Sequence, residues 1–90
     1  MGRLLAIDFG KKRCGIAVTD PMQIIANGLA TVETARLVEF ITGYAASEQV
    51  DLIIVGYPTT VHGEESESMR YIRPGIGRLR KALPNIPVEF

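Results

Sequence analysis

Two short apolar runs, Leu4-Leu5-Ala6-Ile7 and Ile16-Ala17-Val18, flank the polar, glycine-bearing stretch Gly10-Lys11-Lys12-Arg13. Each run has the length of a strand, and the stretch between them reads as the turn of a tight β-hairpin. With the turn at Gly10 to Arg13, Phe9 faces Cys14, Asp8 faces Gly15, Ile7 faces Ile16, Ala6 faces Ala17 and Leu5 faces Val18. Alternation across the pleat then sends Leu5, Ile7, Phe9, Cys14, Ile16 and Val18 to one apolar face. The opposite face holds Ala6, Asp8, Gly15 and Ala17.

Beyond the turn signal Asp20-Pro21, Ile24 to Val32 is aliphatic and β-branched, which predicts a third strand, bent or bulged at Gly28. Thr34 is placed to cap a helix whose apolar positions are Leu37, Val38, Ile41, Tyr44 and Ala45, ending near Glu48 and weakened at Gly43. The continuous run Asp51-Leu52-Ile53-Ile54-Val55 predicts a central strand buried on both faces. Gly56-Tyr57-Pro58 ends it, and Thr59 to Glu65 reads as a loop at its C-terminal end, where ligands sit in open parallel sheets. A second helix starts near Ser66 with the stripe Met69, Ile72, Ile76, Leu79 and Leu83. Pro74 interrupts it, and because the stripe keeps its phase the expectation is a kink. Pro84 to Pro87 connects to Val88-Glu89-Phe90, the opening of another strand. The order β-β-β-α-β-α-β gives an α/β chain with a mixed sheet, antiparallel at its hairpin and then a right-handed βαβ unit.

Ninety residues predict one small domain, 1–90. Ten basic and ten acidic side chains cancel, which argues against a globally basic nucleic-acid binder but leaves room for a local basic patch. No apolar run is long enough to span a bilayer, so no membrane partner is expected. The N-terminus lacks a secretory cleavage pattern, which makes the cytoplasm the expected location. Cys14 has no second cysteine to pair with and reads as a small buried hydrophobe, and His62 as a surface residue without partners at metal-ligand spacing.

The candidate chemistry centres on Asp8. A carboxylate among small residues at a strand end has empty space before it, as a metal ion and a phosphate require; equally, an Asp there can simply end the strand. Lys11, Lys12 and Arg13 beside it suit phosphate contact, with a solvated turn as the other reading. Arg70, Arg73 and Arg78 read first as the polar face of the second helix and alternatively as an extension of that basic track. Glu64 and Glu65 suit a helix N-terminus, Glu89 a solvated strand end, and Asp20 the Pro21 turn, with a place beside Asp8 the alternative for the three glutamates.

The run from Asp8 to Asp20 resembles the opening signature of the YqgF family of Holliday-junction resolvases, and Gly56-Tyr57-Pro58-Thr59-Thr60-Val61-His62-Gly63 is similar to the family's second motif, a Gly-x-Pro followed by a Gly. The resemblance runs from Leu4 to Phe90. It implies a ribonuclease-H-like fold and a metal-dependent nuclease acting on pre-16S ribosomal RNA or on branched DNA, using Mg²⁺, or Mn²⁺ in its place, with Asp8 as catalytic acid and metal ligand. It also marks Gly56, Pro58, Thr60 and Gly63 as the motif loop, although the family commonly has Asn where Thr60 stands. The family's next motif, Asp-Glu-Arg, would fall beyond Phe90, so the chain resembles an N-terminal portion, truncated before the last helices and inactive or nearly so by itself. An edge left open there would favour a homodimer. Two other classes stay in play: a nucleic-acid-binding module without catalysis, and an ATP-binding fragment of the actin and sugar-kinase type.

Overall fold

The computed structural model describes residues 2–56 and 67–90. Strands β1 (Arg3–Phe9) and β2 (Arg13–Thr19) form the hairpin in the register that alternation predicts, from Leu5↔Val18 to Phe9↔Cys14. Strand β3 (Ala26–Glu33) adds antiparallel to β2, and β4 (Val50–Val55) pairs parallel to β1. The two-residue β5 (Val88–Glu89) lies parallel to β4, giving the order β3-β2-β1-β4-β5. Helices α1 (Leu37–Ser47) and α2 (Met69–Ala82) supply the β-α-β crossovers.

The core is the apolar face of the hairpin joined to the inner stripes of both helices. Leu5, Ile7, Phe9, Cys14, Ile16 and Val18 are all buried there with Leu37, Ile41, Ile53, Val55, Ile72 and Leu79. At about 25 cal/mol per Å² of apolar surface, each such aliphatic side chain contributes roughly 1.5–3 kcal/mol. Among the described residues no buried residue is polar or charged.

Two bulges adjust the alternation. Leu29 is the extra residue between the pairs Ile16↔Ala30 and Ala17↔Gly28, so the irregularity expected at Gly28 falls beside it. Asp51 is extra between Arg3↔Val50 and Leu4↔Leu52, which turns Val50 into the core with Ile53 and Val55. The displaced Asp51 carboxylate accepts hydrogen bonds from the Gly2 amide at 2.8 Å, Gln49 at 3.1 Å and Gln23 at 3.2 Å, tying down the start of the chain.

Two expectations need correction. Strand β4 is buried on one face only: Leu52 and Ile54 are half-buried, because no described helix covers the face that carries Ala6 and Asp8. Thr34 does not cap α1; it begins a single 3-10 turn, Thr34–Arg36, and its hydroxyl instead donates to the Gly10 carbonyl at 2.8 Å. Within the described residues helix α2 spans Met69–Ala82, and it continues through Pro74 without restarting there. Arg70 and Pro74 are both exposed, so the carbonyl that proline leaves without an amide partner lies on the solvent side of the helix.

Candidate active site

Asp8 sits next to the last residue of β1, exposed on the uncovered sheet face and directly opposite Gly15. Before it opens a groove of about 580 Å³, floored by Gly15, Ala17, Gly28 and Ala30 and bounded by Ile54 and Gly56. The floor is low because of its sequence: a Cβ added at Gly15 would meet only the Asp8 Cβ, at 3.8 Å, and one at Gly28 or Gly56 would meet nothing within 4 Å. The glycines therefore leave open space that packing does not require them to leave.

Gly56 enters the groove because β4 runs parallel to β1 and ends at Val55 opposite Ile7, one residue short of Asp8; the Gly56 amide donates to the Ile7 carbonyl at 3.2 Å. Asp8 and the first residue of the Gly-x-Pro motif are thus brought to one place. Pro58, Thr60 and Gly63, together with His62, Glu64, Glu65 and the predicted helix start at Ser66, lie outside the described residues.

Glu89 can be placed by register. Ala6 pairs with Ile54 and Ile54 with Glu89, and residues opposite one another share a face, so Glu89 stands on the same face as Asp8 with β4 between them. Two strand spacings put β1 and β5 about 10 Å apart, and Glu89 is level with Ala6, two residues short of Asp8. Among the described residues no three His, Cys, Asp or Glu gather closely enough to hold a metal ion. The groups present fit a hydrated divalent ion held by one carboxylate, and do not form a closed acidic cage.

The basic turn lies on the other side of the hairpin end. Lys11, Lys12 and Arg13 line a depression of about 540 Å³ separate from the Asp8 groove, and Arg78 of α2 lines it with them. Thr34 holds this turn: besides its hydroxyl bond to Gly10, its amide donates to the Lys12 carbonyl at 2.8 Å, and the Cys14 sulfur lies 3.3 Å from its hydroxyl. Gly10 is needed for the turn to close, since a Cβ there would collide with the Arg13 carbonyl. Sequence reasoning did not find the Thr34 clasp. Continuing the β2–β3 pairing past Arg13↔Glu33 sets Thr34 opposite Lys12, and that is the signal.

Asp20 is remote from the site. Its carboxylate accepts from the amides of Ile25 at 2.7 Å, Ile24 at 2.9 Å and Met22 at 3.0 Å, shaping the connection from β2 to β3. Those bonds, the one from Ile25 foremost, hold its carboxyl below the ordinary aspartate range.

The model of the RuvX family, described as Holliday junction resolvase, matches residues 2–90. The chain belongs to this family. It is the family that the hairpin and Gly-x-Pro motifs resemble under the name YqgF. Among its relatives, a protein of Phocaeicola vulgatus named "Putative pre-16S rRNA nuclease" is 58% identical over 90 residues, covering 100% of this chain and 65% of that protein. One of the same name from Porphyromonas gingivalis is 50% identical over the same share. The chain thus spans 65% of the length of these RuvX-type relatives. Among solved structures, T. thermophilus RuvC in complex with a Holliday junction substrate superposes with a TM-score of 0.67 at 13% identity, covering 100% of this chain and 64% of that one. At that identity the likeness establishes the fold, which is ribonuclease-H-like.

Proposed function

We propose that the chain carries the substrate-facing sheet of a nuclease that hydrolyses phosphodiester bonds in RNA or branched DNA, with Asp8 as its first catalytic acid. The observation that carries this reading is the exposed Asp8 carboxylate over a groove kept clear by Gly15, Ala17 and Gly28, at the C-terminal ends of two parallel strands. Membership of the resolvase family and relatives named for pre-16S rRNA cleavage support it. Maturation of pre-16S rRNA and resolution of Holliday junctions are the two substrate classes this reading admits, and the cytoplasm is where both would be met.

Asp8 would hold a divalent ion, Mg²⁺ or Mn²⁺, through one carboxylate oxygen with water in most remaining positions. When bound, such an ion lowers the pKa of a water and offsets charge on the phosphate. The chain's own contributions are steric and electrostatic. Small residues let a sugar–phosphate backbone approach the sheet closely, and the uncovered face lets it enter from the side. Lys11, Lys12 and Arg13 draw the backbone by releasing its counterions. With one carboxylate in the groove, the 90 residues alone are expected to cleave slowly or not at all.

Asp8→Asn keeps the size of the side chain and removes its charge. In a full-length relative carrying this motif it is expected to lower cleavage of pre-16S rRNA or junction DNA by roughly 100-fold or more, since even indirect partners of a metal cost 10–100-fold. Circular dichroism should be unchanged. Full activity in the variant would overturn the reading. A non-catalytic nucleic-acid-binding module is the second reading, favoured by the separation of the basic depression from the Asp8 groove. It requires that binding survive Asp8→Asn and that no variant of Asp8 change any turnover.

A further inference from the structure

We propose that Arg78, carried by α2, completes a phosphate-binding site with the Lys11–Arg13 turn, so that bound nucleic acid wraps from the Asp8 groove over the end of the hairpin onto the helical side. The inference deepens the nuclease reading by assigning a course to the backbone, and it rests on that reading for the nature of the ligand.

The juxtaposition is built by packing. Helix α2 meets the hairpin at Gly75, which is buried and where a Cβ would lie 2.7 Å from the Phe9 ring. Only a glycine lets the helix come this close, and Arg78 follows three residues later, one turn along the helix. Phe9 is the last residue of β1 before the basic turn, so the contact sets Arg78 beside Lys11, Lys12 and Arg13 around one depression. The turn itself is held by the two Thr34 bonds, so its cations project from a fixed backbone.

Among the described residues, Lys11, Lys12, Arg13 and Arg78 have no acidic side chain as an ion-pair partner. The acid in the lining, Glu33, has Arg36 at 3.8 Å as its own partner. In a chain of zero formal charge, four cations gathered around one depression form a local excess that a phosphodiester matches. A guanidinium at the edge of the depression can grip a phosphate with two parallel bonds.

The test uses the chain itself, with a four-way DNA junction and a single-stranded RNA as probes, followed by fluorescence anisotropy across a KCl series. Arg78→Gln should weaken binding roughly three- to tenfold near 100 mM salt and lower the log–log salt slope by about 0.7–0.9, the share of one phosphate contact. Lys81→Gln removes the same charge from the same exposed helix but outside the depression, and should leave the slope unchanged. Arg78→Lys should restore the slope and part of the affinity. Equal behaviour of Arg78→Gln and Lys81→Gln while the unmodified chain binds would overturn the proposal alone. Failure of the unmodified chain to bind either probe would overturn it together with the nucleic-acid reading. Full cleavage by the Asp8→Asn variant of a full-length relative, with the salt slopes as expected, would remove the nuclease reading and leave this site standing.

Discussion

Adjacent residues divide the chain's tasks at Asp8 and Phe9: one faces open solvent on the sheet, the other lies in the core under α2. The split follows from the two-residue repeat of a strand, and it explains why this part of the site is legible from sequence. Asp20 shows the opposite case, an acid spent on backbone geometry. Its carboxyl is held below the ordinary range by amide donors, so folding favours its ionised form. A depressed folded-state pKa contributes stability above the unfolded value and loses it as pH falls through the folded one. Asp20→Ala is therefore expected to lower the melting temperature at pH 7, with the gap to the parent chain closing below about pH 4. Thermal melts from pH 7 to 3 check this; a gap constant across that range would contradict it.

At the scale of elements, two glycines of α2 should respond oppositely to the same change. Gly77 is exposed and an added Cβ would meet nothing within 4 Å, so Gly77→Ala is expected to stabilise by about 0.5–1 kcal/mol through helix propensity. Gly75→Ala gains the same propensity but drives a methyl into Phe9, and should cost about 1–3 kcal/mol net. Urea titrations of both variants separate the terms. That contact was not legible beforehand, because the stripe Met69, Ile72, Ile76, Leu79 fixes which face of α2 turns inward and says nothing of how closely it approaches. The hairpin register was legible, since alternation and the turn agree on one pairing. Strand β4 departs from its sequence pattern for a physical reason: an unbroken aliphatic run records that both faces avoid water in part, without recording what covers the second one. Thr34 departs from its sequence pattern because a cap is local, whereas its partner Gly10 is 24 residues away.

Among the described residues, helices lie on one side of the sheet and the groove on the other, while β3 is an outermost strand with no further strand paired to it. Met22, Ile24, Ile25 and Leu29 are exposed on that strand and the connection leading to it. Unpaired strand edges with apolar side chains recruit further strands, so we expect concentration-dependent self-association that Ile25→Lys suppresses. Sedimentation of both chains decides it, and a monomer at every concentration would refute it. The strand order has a further consequence for synthesis on the ribosome. Strand β1 is central, yet its partner on one side is made immediately and its partner on the other only after α1. At ~5–20 residues per second, the hairpin waits a few seconds with one edge unpaired and its greasy face uncovered. During that interval the nascent chain is most open to chaperone capture or misassembly, and codon choices that slow translation between Thr19 and Val50 would lengthen it.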